Sequence, residues 1–341
     1  MEYGAIDLHT RRSQIRIVRA DGSVVLERRI ETTRPELDRV FGGRPPLRIL
    51  IESSTESEWV AQQLEAMGHE VIVADPNYAA MYGARSRAVK TDRRDVAALA
   101  EASRTGVYRP AHRASAAART CRQHLRVRSH LVRQRTAAIN LLRALLRADG
   151  LRLAPGSTEC VLARLDRLTL PAALSAVVAP LRVTIAQLAA AIATADARLK
   201  ARAAGDPVAT RLMTAPGVGP IVALTFAAVL DTPARFRGKA ARASAFLGLV
   251  PSEDSSAERR HRGSITKVGP QELRALLVQA SWSIWRSTSP GAAALRLWAQ
   301  ALAARRGRRI AIVAVARRLS RILYAMWRDG TEFRKIATIA Q

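Results

Sequence analysis

Cysteine is nearly absent from this chain. Cys121 and Cys160 are the only two, too few for a disulfide framework or a cysteine zinc site, and they suit a reducing compartment. Any metal chemistry is therefore expected from carboxylates. Lysine is scarce too: Lys90, Lys200, Lys239, Lys267 and Lys335 stand against 50 arginines. A codon bias would explain that ratio, but not the net charge. Acidic residues number 28 against 55 basic ones, which leaves +27. A chain this basic seeks a polyanion, and a nucleic-acid backbone is the commonest. Arginine suits it, with a permanent charge and a planar fork of donors. No 18 consecutive residues are apolar, so no transmembrane helix is expected. Met1-Glu2-Tyr3-Gly4 is neither basic nor apolar, so no secretory signal is expected. With 48% hydrophobic and 24% charged residues, the 341-residue chain can bury a core and is not a disordered tail.

Residues 1–110 read as α/β. Short β-prone runs cover Tyr3–His9, Ser13–Arg19 and Val24–Ile30, with Ala20-Asp21-Gly22 as a hairpin turn. A helical stretch at Pro35–Phe41, an apolar strand at Leu47–Ile51, a helix at Glu56–Met67 and a strand at Val71–Ala74 follow. Three antiparallel strands and then strand–helix–strand is the order of an RNase-H-like sheet, although many α/β folds begin that way. Residues 111–205 read as a helical arm. Ala111–Arg152 holds ten arginines and three histidines against one acid, Asp149, with apolar positions at helical spacing. A break is expected at Pro155-Gly156, then an Ala/Leu-rich helix from about Pro171 to Ala204, itself broken near Pro180. Two such helices would form an αα-hairpin or coiled coil. Residues 206–341 read as mostly helical, with one polar loop at Pro251–Gly269.

Four acids stand out by position. Asp7 lies within an apolar strand, where an unpaired charge is costly, and Glu52 ends another. Asp92 and Asp95 open the helix that runs on through Val96 and Leu99, and their spacing of three puts them on one helical face. Each has a plain reading as a helix-start acid or a solvated strand end. Together they could converge on one sheet edge and hold hard divalent ions such as Mg²⁺ for phosphodiester chemistry. In the C-terminal part, Leu212–Pro220 contains Pro216-Gly217-Val218-Gly219 between helices, which reads as a helix–hairpin–helix. Gly217 and Gly219 would let backbone N–H groups approach a phosphate, though a Pro-Gly turn is also an ordinary connector. Beyond Phe246–Pro251 come Ser252-Glu253-Asp254-Ser255-Ser256 and Arg259-Arg260-His261-Arg262-Gly263-Ser264-Ile265-Thr266-Lys267. By spacing alone these serines read as solvated or phosphate-contacting.

The pieces Ile6-Asp7-Leu8-His9, Ile51-Glu52-Ser53-Ser54, Val73-Ala74-Asp75-Pro76-Asn77 and Val89–Leu99 resemble the DEDD-motif transposases of the bacterial IS-one-ten/IS-eleven-eleven insertion-sequence family. The resemblance covers nearly the whole chain. It implies a RuvC-like N-terminal domain, with the Asp-Glu-Asp-Asp tetrad on Asp7, Glu52, Asp92 and Asp95 binding Mg²⁺, or Mn²⁺ in its place. It implies a C-terminal serine that attacks DNA and becomes linked to it, matching Ser256, with Ser255 one step away. Thr55-Glu56, Ala257 and Pro270 depart from the family's usual glycines and asparagine, which could change both loops. A structured RNA from the element's own end, a homo-oligomer (dimer or tetramer) and a cytoplasmic, nucleoid-associated setting are further implications. Lys90, Gly217, Gly219, Arg259, Arg262 and Lys267 are the expected nucleic-acid contacts, with the basic arm and Arg305-Arg306-Gly307-Arg308-Arg309 as broader surfaces. Two other readings stand beside it: a RuvC-like nuclease or junction resolvase that uses water, which the same tetrad fits equally well, and a nucleic-acid-binding protein with decayed catalytic residues, against which an intact tetrad weighs.

Overall fold

A computed structural model describes residues 2–83, 91–256 and 259–333, with the backbone path alone at 254–256 and 259–262. It divides into two compact units, Met1–Arg113 and Ala114–Gln341.

The first unit is a five-stranded mixed sheet. Its elements are β1 (Glu2–Asp7), β2 (Arg12–Arg19), β3 (Val24–Glu31), α1 (Arg34–Phe41), β4 (Arg48–Glu52), α2 (Ser57–Ala66), β5 (Glu70–Ala74) and α3 (Asp92–Thr105). The strand order is β3-β2-β1-β4-β5, with β1–β2 and β2–β3 antiparallel and β1–β4 and β4–β5 parallel. Because strand side chains alternate, two sets of residues cover the two faces. Ile6, Ile15, Ile17, Ile49, Ile51 and Val73 pack on Phe41 of α1 and Val60 and Leu64 of α2. Ala5, Val18, Leu50 and Ala74 pack on Val96, Leu99 and Ala100 of α3. Helix α3 starts where Thr91 caps it, its hydroxyl accepting from the Arg94 N–H at 3.3 Å, and stops at Gly106 (φ 74°), a left-handed position that favours glycine.

The second unit is mostly helical. It opens with α4 (Ala116–Ala148), the short α5 (Val161–Leu165) and α6 (Ala172–Ala204). Buried residues of α6 fall at Val178, Ile185, Ile192 and Leu199, a strict seven-residue period. They meet α4 in antiparallel fashion: Ile139, Leu142 and Leu146 cluster with Leu174, Val178 and Ile185, whereas Cys121 and Leu125 share a cluster with Leu199 and Ala203. A seven-residue period is the coiled-coil seam. Arg128 bridges the pair to Asp196 at 2.8 Å.

Three expectations need correcting here. Helix α4 ends at Ala148, ahead of Pro155-Gly156, with Gly150 (φ 73°) just beyond, and α5 occupies part of the connection. Helix α6 runs through Pro180 without a break. Proline cannot donate to the Ala176 carbonyl, but Ala176 and Pro180 both lie on the exposed face, where water can take that carbonyl, and the seam holds the helix on either side. The polar segment after Val250 forms an antiparallel hairpin, with β6 (Pro251–Ser256) paired to β7 (Arg259–Ile265). Its sequence has few β-branched residues, so the backbone ladder rather than side-chain propensity defines it.

Helix α6 also has an 18-residue window of mean hydropathy 1.8, long and apolar enough to cross a membrane by composition. Its partner α4 carries eight arginines along the same pair, and such side chains are costly in hydrocarbon. The remaining helices are α7 (Pro207–Met213), α8 (Pro220–Leu230), α9 (Ala240–Phe246), α10 (Gln271–Arg286), α11 (Ala293–Arg306) and α12 (Arg308–Asp329). Phe226, Leu277, Ile284, Leu319 and Leu323 form their common core, and the buried Tyr324 donates its hydroxyl to the Pro233 carbonyl at 2.8 Å.

Candidate active site and nucleic-acid surface

The register of β1 against β4 pairs Ile6 with Ile51, so Asp7 and Glu52 each stand one residue further, at the C-terminal ends of neighbouring parallel strands. By alternation both share a side of the sheet with Ala5 and Leu50, the side that α3 covers. Helix α3 opens there with Asp92 and Asp95. Asp95 is buried on the helix's inner face, while half of the Asp92 side chain is exposed. Burial holds the Asp7 carboxyl above the ordinary carboxylate range; His9 opposes this, and the charges of Asp92, Asp95 and Glu52 add to it. The charges of the other three acids of the expected tetrad thus bear on Asp7. Such crowding of like charge, in a chain of net charge +27, would be relieved by a cation. The donor set suits a hard divalent ion.

The structure adds a residue that the sequence reading left without a role. His9 lies just past β1, and its Nε2 stands 3.5 Å from Asp7 Oδ2 and 3.8 Å from Asp92 Oδ1. Asp7, His9 and Asp92 each offer a ligand atom within 4.8 Å of the others, the one such group among the described residues. Its signal was there to read: Ala5, Asp7 and His9 follow the two-residue alternation of a strand. Arg29 also reaches Asp92, at 3.9 Å.

The expected nucleophile belongs to the second unit. Ser256 ends β6 opposite Arg259 in the ladder, and Ser255 faces Arg260. The side chains of Ser255, Ser256, Arg259 and Arg262 lie outside the described residues, as does all of Lys90. Backbone and side-chain hydrogen bonds tie the hairpin's base. Thr266 N–H donates to the Val250 carbonyl and Lys267 N–H to that of Gly248, at 2.9 and 3.2 Å. Gly248 (φ 64°) and Gly269 (φ 74°) let the two ends cross: a Cβ on Gly248 would meet the Val268 carbonyl at 2.3 Å, and one on Gly269 the Phe246 carbonyl at 2.0 Å. Arg274 ties the same crossing by donating to the Leu247 and Val268 carbonyls. Lys267 is exposed there with φ 57°.

Between α7 and α8, Gly217 (φ 74°) lies so close to α10 that a Cβ would meet the Ala280 carbonyl at 2.6 Å. Its glycine therefore has a packing reason of its own. Gly219 caps α8 and has open space where a Cβ would stand.

A model of a DEDD transposase of the IS110 type matches residues 5–148, and one described as the transposase IS116/IS110/IS902 family matches residues 209–296. A protein of Pseudomonas aeruginosa named "Probable family 20 transposase" is 30% identical over 335 residues, covering 96% of this chain and 97% of its own. The chain belongs to the IS116/IS110/IS902 transposase family. The transposase for insertion sequence element IS1328 of Yersinia enterocolitica is 28% identical, over 97% of this chain and 98% of its own. That for IS1111A of Coxiella burnetii is 32% identical over 244 residues, 70% of this chain and 66% of its own.

A transposase acts on DNA, and the structure sorts the arginines available for it. Several in the basic arm already have partners within the protein. Arg113 forks onto Glu58 and Glu65, Arg122 donates to the Ala228 and Val229 carbonyls at the end of α8, and Arg128 holds Asp196. Arg126, Arg133, Arg147 and Arg152 are exposed. Arg126 and Arg133 line a groove of about 530 Å³ with His130 and Glu272. A second exposed cluster lies at the α11–α12 corner, where Arg305 and Arg306 end one helix and Arg308 and Arg309 begin the next around Gly307. Arg305 and Arg306 complement the negative end of α11, whereas Arg308 and Arg309 sit at the positive end of α12.

Proposed function

We propose that this transposase cuts and rejoins DNA through a phosphoserine–DNA intermediate. Residues 1–110 act as a RuvC-like catalytic domain, and residues 111–205 and 206–341 act as a nucleic-acid-binding arm and a serine-bearing domain with a helix–hairpin–helix. The observation that carries the proposal is the convergence of Asp7, Glu52, Asp92 and Asp95 at one sheet end. These carboxylates would hold Mg²⁺, which supplies Lewis-acid stabilisation of charge on the scissile phosphate. The Ser256 hydroxyl attacks that phosphorus; the Oγ–P bond forms as the P–O3′ bond breaks, and the serine proton passes to the leaving 3′-oxygen. Strand exchange followed by the reverse attack rejoins the DNA and frees the serine. Arg259, Arg262, Lys267 and Lys90 bind phosphates around the hairpin and the tetrad, and the loop at Gly217–Gly219 offers N–H groups to a backbone phosphate. The exposed arginines of α4 and the α11–α12 corner bind DNA and a structured guide RNA encoded by the element. The working assembly is a homo-oligomer, in which one protomer's serine serves another's tetrad.

The test is a denaturing gel. Wild-type protein with Mg²⁺ and element-end DNA should give a protein–DNA adduct that Ser256→Ala removes and Ser255→Ala retains at least in part. An adduct lost with Ser255→Ala and kept with Ser256→Ala would shift the assignment by one residue. Cleavage with no adduct would make water the nucleophile, as in a RuvC-like resolvase.

A further inference from the structure

We infer that His9 is a ligand of the catalytic divalent ion, which makes this a mixed nitrogen–oxygen centre that favours Mn²⁺ over Mg²⁺. The inference rests on the carboxylate reading above and adds to it a residue outside the tetrad. Three local features bring the group together. Strand β1 delivers Asp7, the turn just past it delivers His9, and the first turn of α3 delivers Asp92. The imidazole Nε2 is the atom nearest the two carboxylates in these contacts, at 3.5 Å from Asp7 Oδ2 and 3.8 Å from Asp92 Oδ1. Ligand atoms of one first-row ion stand about 3 Å apart, so these separations are within reach of small side-chain rotations. The backbone on either side is held: His9 N–H donates to Ser13 Oγ at 3.4 Å, and the His9 carbonyl accepts from Thr32 Oγ1 at 2.7 Å. About half of the His9 side chain is exposed, so an ion can enter from solvent.

The choice of ion follows from ligand chemistry. Mg²⁺ takes oxygen ligands and keeps several waters, and gains little from an imidazole. Mn²⁺ accepts the same carboxylates and binds nitrogen more tightly, as divalent ions do further along the first transition row. A nitrogen donor beside hard oxygens thus shifts preference without excluding either ion. Arg29 competes for the outer oxygen of Asp92 at 3.9 Å, but it approaches Oδ2 while His9 faces Oδ1, so the two contacts can coexist.

The test uses the full-length protein and Mn²⁺ alone as probe, without DNA. Pulsed electron paramagnetic resonance of bound Mn²⁺ should show coupling to an imidazole nitrogen in the wild type and none in His9→Gln. A titration of the free-ion signal should show His9→Gln binding Mn²⁺ on the order of tenfold more weakly, while its Mg²⁺ affinity, measured by competition, changes less than about threefold. Asp7→Asn should lose the site altogether. Mn²⁺ bound to the wild type with no nitrogen coupling would overturn the role of His9 and leave the carboxylates standing. Mn²⁺ binding that survives Asp7→Asn unchanged, or no Mn²⁺ binding by the wild type, would overturn both. The wild-type spectrum decides the matter even if the His9→Gln protein folds poorly.

Discussion

The two regions expected to carry chemistry are built in opposite ways. Asp7 and Glu52 stand at the ends of strands buried on both faces, and Asp92 and Asp95 in the first turn of the helix that covers one of them, so their positions are fixed by Ile6, Ile51, Leu50 and Leu99. The expected serine position ends β6 of a polar two-stranded hairpin, whose base is held by the crossing at Gly248 and Gly269 and by Arg274. A scaffold packed on two faces holds groups that must keep a common geometry. A polar hairpin places its end residues through its backbone ladder and the crossing at its base.

The largest effect should come from the packed region. Asp95→Ala or Asp7→Asn should lower strand cleavage by roughly a thousandfold or more, the scale of losing a principal catalytic group, while DNA binding persists. Wild-type cleavage rates in either variant would dissolve the contrast. Ionic strength tests the basic surfaces on a comparable scale. With roughly six to ten phosphates contacted, affinity should fall on the order of a thousandfold or more between about 50 and 200 mM salt. Charge reversal of Arg126 and Arg133 should flatten that slope; reversal of Arg122, whose partners are carbonyls of α8, should instead lower stability.

At the hairpin, Gly248→Ala meets both a left-handed backbone angle and the Val268 backbone. It should cost about 2 kcal/mol or more in denaturant unfolding and abolish the serine adduct, with the Mn²⁺ site intact. Loss of the metal site as well would show that the regions are not independently built.

The smallest effect is one of sign. Burial raises the Asp7 carboxyl above its ordinary value, so the fold favours the protonated form. That contribution is fully present below the unfolded value of about 3.9 and is lost as pH rises through the folded one. Without divalent ions, Asp7→Asn should therefore gain in melting temperature over wild type as pH rises above about 4, and added Mn²⁺ should narrow the gap. A gap that shrinks with pH alone would contradict the direction.

How much was legible in the sequence follows the same contrast. The strands of the first unit could be read because short, β-branched apolar runs bounded by turn residues suit strands covered on both faces; Glu52 closes its strand as expected, whereas Asp7, expected inside a strand running to His9, closes β1. The helix opening at Asp92 carried its own marks in Thr91 and the paired aspartates. His9 carries no distinctive mark in the sequence, because one histidine near a strand end has many ordinary readings, and only the fold brings Asp92 beside it. The hairpin at Pro251–Ile265 carries no strand signal in the sequence, because serine, acid and arginine there give no β propensity; Gly248 and Gly269 mark its base only in the folded chain. Pro180 misled for the reverse reason: a local rule was outweighed by the seven-residue seam on the far side of α6.

The register between β1 and β4 has one more consequence. Asp7 and Glu52 are consecutive with a paired isoleucine on each strand, so neither can move along the sheet without dragging a core residue with it. One residue inserted between Tyr3 and Ile6 would turn Asp7 toward α1 and α2 and bring a different side chain beneath α3. The strand would still pair and the helices would still find a sheet to cover. In this part of the transposase, then, a reading frame persists in the folded chain: a single-residue slip can leave the architecture recognisable and erase its chemistry, whereas the turn between Leu8 and Arg11, which has no parallel partner, is where added length would do least harm to Asp7.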